Sequence, residues 1–98
     1  MNSKFQNQPD FKQAQQVQSF HEPALRLLNQ MYERNKQNLR SKGYDENNAA
    51  ITKVELSELM ARQFRITQWL ASQIVASLIN AGLVESFGGY VKPKAGGL

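Results

Sequence analysis

The sequence predicts a mainly helical domain that ends in a small β-hairpin. Two segments place apolar residues at helical spacing on either side of a short break at residues 65–67. Beyond the second segment, two strand-like stretches flank Gly88 and Gly89, a pair that suits a two-residue hairpin turn because such turns need positive φ. The length of 98 residues supports one compact domain with a modest core.

The first twenty residues differ from the rest because they are rich in glutamine and poor in aliphatic side chains. Aromatic or aliphatic residues recur there every three positions, at Phe11, Ala14, Val17 and Phe20. That spacing can form one weak helical stripe. Two interpretations stay open for residues 1–20: a disordered polar arm, and a helix or arm that packs on a partner subunit, which is slightly favoured.

A long helix is predicted to begin at Pro23, because proline suits the first helical turn. Its apolar face would consist of Ala24, Leu27, Leu28, Met31 and Tyr32. The pattern fades near Leu39, and residues 41–48 have the glycine, aspartate and asparagine content of a loop. Residues 49–51 are a candidate strand stub.

The next predicted helix starts at a capping box. Thr52 and Glu55 stand three residues apart, so each side chain can satisfy a backbone amide of the other residue. Apolar residues follow at helical spacing, at Leu56, Leu59, Met60 and Phe64. A helix over this segment is therefore expected up to the break at 65–67.

A third helix is predicted over residues 68–81, with Thr67 as its N-cap. Its apolar positions would be Leu70, Ala71, Ile74, Val75 and Leu78. Gly82 is placed to end this helix in a left-handed conformation. Strands are expected at 83–87 and 90–94. Pro93 implies an edge strand or the end of a strand, and residues 95–98 are expected to be a frayed tail.

This order of elements, with a tight turn between two short helices and then a hairpin opened by Ala-Gly-Leu-Val, resembles the winged helix-turn-helix family. The resemblance covers residues 23–94 in architecture, and the winged-helix domain is placed at 21–94, after the N-terminal arm or helix. Residues 59–67 look like the second helix and turn of many bacterial regulators, and 71–84 look like their third helix running into the wing. Residues 62–66 are also similar to part of the DNA-reading gamma domain of the bacterial chromosome-segregation translocase.

The resemblance implies that the third helix enters the major groove of double-stranded DNA, while the wing and the turn contact phosphates. Groove-facing positions would be Gln68, Trp69, Ser72, Gln73, Ala76 and Ser77. Phosphate contacts would come from Arg62 and Arg65 beside the turn. Wing contacts would come from Tyr90, Lys92 and Lys94. The predicted DNA-binding set thus consists of Arg62, Arg65, Thr67, Gln68, Trp69, Ser72, Gln73, Ser77, Tyr90, Lys92 and Lys94.

The third helix departs from the family because it carries no lysine or arginine between residues 68 and 81. Gln68 and Gln73 can pair with adenine, but phosphate neutralisation must then come from the flanks and the first helix. Such a small number of phosphate contacts predicts modest affinity for one subunit. A homodimer that pairs through the N-terminal segment and the first helix is therefore expected.

Trp69 has two interpretations of about equal weight. In one, the indole is exposed and packs on thymine methyl groups or on a protein partner, as tryptophan does at interaction hot spots. In the other, it folds back over the preceding helix near Phe64. Exposure of both Trp69 and Ile79 would make this face unusually apolar for a DNA contact, and would favour a protein-interaction module.

Composition narrows the function classes. Twelve Lys and Arg against eight Asp and Glu give a net charge of +4 and a pI of about 9.6, which suits a polyanionic partner. No cysteine is present, so disulfides, thiolate metal sites and cysteine nucleophiles are excluded.

His21, the single histidine, is expected at the surface near a helix start and lacks companion metal ligands. No catalytic constellation, cofactor loop, signal peptide or membrane span is recognisable, so a cytoplasmic protein without enzymatic activity, metal or cofactor is expected.

The functional expectation is a sequence-specific double-stranded DNA-binding protein, most simply a small dimeric transcription regulator from a bacterium, phage or mobile element. Two alternatives stay open. One is a replication or partition protein of a plasmid or phage that uses the same module. The other is a winged helix that binds another protein within a larger complex.

Overall fold

The structure is a computed structural model, and it describes residues 11–94, with side chains from residue 14 onward. The helices are α1 (Phe11–Ser19), α2 (His21–Ser41), α3 (Lys53–Phe64) and α4 (Gln68–Asn80), with a 3₁₀ helix at Glu46–Asn48. The strands are β1 (Ile51–Thr52), β2 (Val84–Phe87) and β3 (Tyr90–Pro93). The predicted class, mainly helical with a small hairpin, is confirmed. The predicted tail at 95–98 and the first ten residues of the predicted arm lie outside the described residues.

The three strands form one antiparallel sheet in the order β1-β3-β2. Ile51 pairs with Val91 on one side of β3, and Ser86 pairs with Val91 on the other. Pro93 is the last residue of β3 and lies beyond the two residues of β3 that pair with β1. Proline has no N–H to donate, but at this position no hydrogen bond between β1 and β3 is lost. The short β1 thus ties the segment before α3 to the hairpin that follows α4.

The hairpin turn agrees with the sequence prediction at one of its two glycines. Gly88 has a φ of +59°, whereas Gly89 does not adopt positive φ. Positive φ at the first central residue alone is the pattern of a type II′ turn. The carbonyl of Gly89 also accepts a 2.9 Å hydrogen bond from the N–H of Lys53, which anchors the turn to the first residue of α3.

One apolar core joins all four helices to the sheet. Its largest fully buried side chains are Leu28, Ile51, Leu56, Met60, Ile74, Leu78 and Val91. Val17 of α1 is also buried in this cluster, and Phe20 stacks on Phe64 of α3 with ring centroids 5.4 Å apart. The N-terminal segment is therefore helical from Phe11 and packs on its own chain, whereas the sequence suggested a disordered arm, or a helix or arm on a partner subunit.

Two boundaries of α2 differ from the sequence prediction. The helix begins at His21 rather than Pro23, and Pro23 occupies its third position. Proline is accommodated there because the first four N–H groups of a helix have no intrahelical acceptor. The helix also continues past Leu39 to Ser41, where Gly43 takes a φ of +80° and the chain turns away.

The ends of α3 and α4 follow the predicted local signals. Thr52 and Glu55 form the reciprocal capping box, with the Glu55 N–H donating to the Thr52 hydroxyl at 3.0 Å. Thr67 caps α4 by accepting a 3.0 Å hydrogen bond from the N–H of Leu70. Gly82 has a φ of +71°, in the left-handed region predicted for the residue that terminates this helix.

Candidate nucleic-acid interface

Helix α4 carries one buried face and one exposed face. Ala71, Ile74, Val75 and Leu78 lie in the core. On the other side an exposed stripe, here called the α4 stripe, is formed by Trp69, Ser72, Gln73, Ala76 and Asn80. Apart from the adjacent Ser72 and Gln73, neighbouring positions are three or four residues apart, so all five share one face of the helix. No described part of the chain covers this face.

The α4 stripe contains no charged group, but it offers polar groups to a partner. Gln73 makes no hydrogen bond to any described residue, so its amide donors and acceptor are free. Ser72 donates its hydroxyl proton to the carbonyl oxygen of Trp69 at 2.8 Å, which leaves the hydroxyl oxygen as an acceptor. An uncharged surface of amide, hydroxyl, methyl and indole groups therefore faces solvent.

Two residues of the predicted groove-facing set are bonded to the protein itself. The side-chain amide of Gln68 donates to the hydroxyl of the buried Ser57 at 2.7 Å. Ser77 is half-buried, and its hydroxyl lies 2.7 Å from Nε2 of His21 at the start of α2. The same contact places His21, expected as a surface residue, in a half-buried position. Both hydrogen bonds attach α4 to neighbouring helices rather than leaving these groups for a ligand.

Trp69 is exposed, not folded over the preceding helix. Its side chain is 59% accessible, and the ring of Phe64 is stacked on Phe20 instead. Ile79 is half-buried, so the structure does not expose Trp69 and Ile79 together. The indole at the amino-terminal end of the stripe is therefore the largest apolar group on this face.

Three cations without ion-pair partners among the described residues lie near the α4 stripe. Arg62 and Arg65 lie at the end of α3 and in the turn before α4, and both are exposed. Lys53, which the sequence analysis did not single out, begins α3. Lys53 lines a groove of about 220 Å³ together with Ser72 and Ala76 of the stripe. Positive charge therefore lies in the turn before the stripe and beside the middle of the stripe.

Arg65 adopts a backbone conformation that is unfavourable for its residue type. Its φ and ψ are 55° and 47°, in the left-handed helical region, and it is the only described non-glycine residue with positive φ. An L-residue with a bulky side chain loses roughly 1–2 kcal/mol there relative to glycine. The turn between α3 and α4 thus holds an arginine where glycine would be more stable.

The lysines of the hairpin are engaged within the chain. Lys92 lies 3.7 Å from a carboxylate oxygen of Glu85 on the adjacent strand and 5.6 Å from the ring centroid of Phe87. Lys94 donates to the carbonyl oxygen of Gly82 at 3.0 Å. Tyr90 is 44% exposed and stacks on Phe87 at a centroid distance of 5.9 Å. The exposed part of the hairpin is consequently an aromatic pair with a lysine beside it.

The groove beside the stripe is mainly apolar. Its walls are Val54 and Ser57 of α3 and Val75, Ala76 and Ile79 of α4, and Val54 is 62% exposed.

Among residues 11–94, no group of three acidic or histidine side chains is placed to bind a metal ion. Over the same residues, no helix combines the length and apolar character needed to cross a bilayer.

Comparison with known proteins gives no relative for this chain. No family model, no curated protein sequence and no solved structure matches it. The site is therefore interpreted from its own geometry.

Proposed function

We propose that this chain is a winged helix-turn-helix protein that binds double-stranded DNA in a sequence-dependent manner. The order of elements supports the fold: a strand enters helix α3, a tight turn leads to α4, and the final hairpin pairs back on that strand. In this arrangement α4 is the helix that enters the major groove, and the β2–β3 hairpin is the wing. We expect such a protein in the cytoplasm.

The observation that carries the proposal is the uncovered α4 stripe, with unpaired cations in the turn before it and beside its middle. A helix face that lacks internal partners can approach base edges, because nothing in the described chain has to move first. Arg62 and Arg65 on one side and Lys53 on the other can neutralise phosphates while the uncharged stripe contacts bases. Phosphate contacts then position the helix, and the stripe supplies sequence dependence.

The position of Lys53 supports the same assignment. A lysine at the first residue of a helix opposes the positive end of the helix dipole, at a cost of about 0.3–1 kcal/mol. A phosphate placed beside it would turn that cost into a favourable interaction, because helix amino termini attract phosphates.

The salt dependence of binding tests the proposal. Three phosphate contacts per protomer give a slope of about −3 for log K against log salt, and participation of both wing lysines gives about −4.5. The measurement is fluorescence anisotropy of a labelled random-sequence duplex between about 50 and 200 mM salt, over which affinity should fall about 40-fold or about 500-fold respectively for each bound protomer. No binding at the lowest salt would refute the proposal.

A matched pair of variants locates the interface. Arg62→Ala removes an exposed arginine beside the turn and should reduce the slope by about 0.9. Lys42→Ala removes an exposed lysine just after α2 that also has no ion pair among the described residues, and it should leave the slope unchanged. Equal effects of the two substitutions would show that the attraction comes from net charge rather than from this face.

A homodimer is part of the proposal, because three to five phosphate contacts give one protomer only modest affinity. Val17 of α1 is used within its own chain, so pairing would involve the exposed side of α1, which carries Gln15, Gln16 and Gln18, together with exposed residues of α2. Sedimentation equilibrium with and without DNA measures this directly. A monomer that binds duplex as a single copy would contradict it.

A second function is favoured by the apolar groove. Val54 and Trp69 are both more than half exposed on the side of the molecule where Ala76 and the half-buried Ile79 line the groove. Such a surface also suits an apolar segment of another protein. This alternative predicts no salt-dependent duplex binding, and it predicts that Val54→Ser disrupts complex formation without altering the fold.

A further inference from the structure

The chemistry of the α4 stripe restricts which base pairs it can favour. Guanine is most often recognised by the paired N–H groups of arginine or by lysine, and neither residue occurs on α4. The side chains that do face outward are amides and apolar groups, with one hydroxyl. Asparagine and glutamine amides match adenine, which presents N7 as an acceptor and N6 as a donor, and apolar groups match the thymine methyl.

Intramolecular hydrogen bonding narrows the set of base-reading groups further. Gln68 is bonded to Ser57, and Ser77 is bonded to His21, so neither is free to pair with a base without breaking a contact. Gln73 remains as the one long amide side chain on the stripe. Asn80, the last residue of α4, adds a second and shorter amide.

Gln73 lies between the two apolar contributors to the stripe. Trp69 precedes it by four residues and Ala76 follows it by three, which places them about 6 Å and 4.5 Å away along the helix axis. Successive base pairs are about 3.4 Å apart. The apolar groups therefore reach base pairs one to two steps on either side of the pair that faces Gln73.

We infer that the α4 stripe recognises A·T base pairs from the major groove, with Gln73 on adenine and with Trp69 and Ala76 against flanking thymine methyl groups. This inference rests on the proposed DNA-binding function and specifies its target. It also assigns a role to an exposed indole that would otherwise be an unexplained apolar group at a polar interface.

Four alternating duplex polymers test the inference because they distinguish recognition in the major groove from recognition in the minor groove. Poly(dA-dT) presents both the adenine edge and the thymine methyl, whereas poly(dA-dU) lacks only the methyl. Poly(dI-dC) has the major-groove edge of G·C, but it lacks the amino group that marks guanine in the minor groove. Poly(dG-dC) completes the set, and the wild-type chain is titrated with each polymer at the same salt concentration.

The expected order places poly(dA-dT) first, poly(dA-dU) second, and poly(dI-dC) together with poly(dG-dC) last. Loss of a buried methyl should weaken binding about fourfold per contact, and loss of the adenine contact should weaken it at least about fivefold. Poly(dI-dC) bound as tightly as poly(dA-dT) would overturn the inference, since it would indicate minor-groove recognition. Equal binding of all four polymers would also overturn it while leaving the binding of duplex DNA itself intact. If none binds at low salt, both fail.

Variants at Gln73 link the preference to the helix. Gln73 is exposed and unbonded, so Gln73→Ala should fold normally and reduce the preference for poly(dA-dT) over poly(dI-dC) by about fivefold or more. Gln73→Arg should raise affinity for poly(dG-dC), because arginine pairs with guanine. Asn48→Ala, which removes an exposed amide from the 3₁₀ helix, is the control and should leave the preference unchanged. A preference that survives Gln73→Ala at full strength would contradict the assignment.

Discussion

Arg65→Gly is expected to stabilise the protein and, at the same time, to weaken its binding to DNA. Arg65 has a left-handed backbone conformation, with φ 55° and ψ 47°. Removal of the unfavourable arginine conformation should raise the free energy of unfolding by roughly 1–2 kcal/mol. The greater flexibility of glycine in the unfolded chain should lower it by about 0.5–1 kcal/mol. The net gain is about 0–1.5 kcal/mol, and its central value of about 0.75 kcal/mol raises Tm by about 3–6 °C for a domain of this size.

The same substitution removes one of the unpaired cations beside the α4 stripe. The slope of log K against log salt should therefore become shallower by about 0.9 per protomer. Thermal unfolding followed by circular dichroism measures the first effect, and anisotropy with a labelled duplex measures the second. Opposite signs for stability and affinity are informative, because a purely structural role for Arg65 would make the more stable variant bind at least as well.

Arg62→Gly provides the matched control three residues earlier. Arg62 is in the last turn of α3, where glycine is less favourable than arginine by up to about 1 kcal/mol. This variant should lose both stability and affinity, whereas Arg65→Gly loses affinity alone. A decrease in Tm for Arg65→Gly would refute the strain argument, and an unchanged salt slope would refute its contact with phosphate.

Other substitutions test individual contacts. Thr52→Ala removes the capping box with Glu55 and should lower the free energy of unfolding by about 1 kcal/mol, measured by urea denaturation; an unchanged midpoint would contradict the role of the cap. His21→Ala leaves the Ser77 hydroxyl without its partner and should lower the free energy of unfolding by about 1 kcal/mol. Amide hydrogen exchange in α1 and α2 should become faster, and unaltered exchange would show that this bond does not hold α2 on α4. Lys53→Ala should reduce the salt slope by about 0.9 without loss of stability, because it removes a charge that opposes the helix dipole; a clear drop in Tm would argue against that.

The features that the sequence predicted well are those encoded within a few residues. The capping box at Thr52 and Glu55, the N-cap at Thr67 and the left-handed Gly82 are all local signals, since each partner lies within one helical turn. The same locality explains the correct hairpin position around Gly88. Apolar periodicity then identified which face of α4 is buried.

The features that the sequence did not predict depend on contacts between distant segments. The Gln68–Ser57 and His21–Ser77 hydrogen bonds join residues 11 and 56 positions apart, and nothing in the local pattern marks them. Two of the six groove-facing positions implied by the resemblance are therefore bonded to distant segments of the chain.

Lys53 was overlooked for a related reason. As the first residue of α3 it belongs to the capping segment, and only the packing of α3 on α4 brings it to the groove beside Ala76. The pairing of β1 with β3 is likewise set by tertiary structure, because a two-residue strand has almost no sequence pattern of its own. A charge search restricted to the turn and the wing could not have found this lysine.

The central claim, that the α4 stripe contacts DNA, is tested most directly through Trp69. It is the only tryptophan of the chain and lies on the stripe, so its fluorescence reports on this face alone. The measurement is tryptophan emission during titration with an unlabelled duplex, under conditions where anisotropy of a labelled duplex shows binding. The account predicts a change in emission that saturates together with the anisotropy. An emission spectrum that stays constant while the duplex binds would place the contact elsewhere and contradict the account.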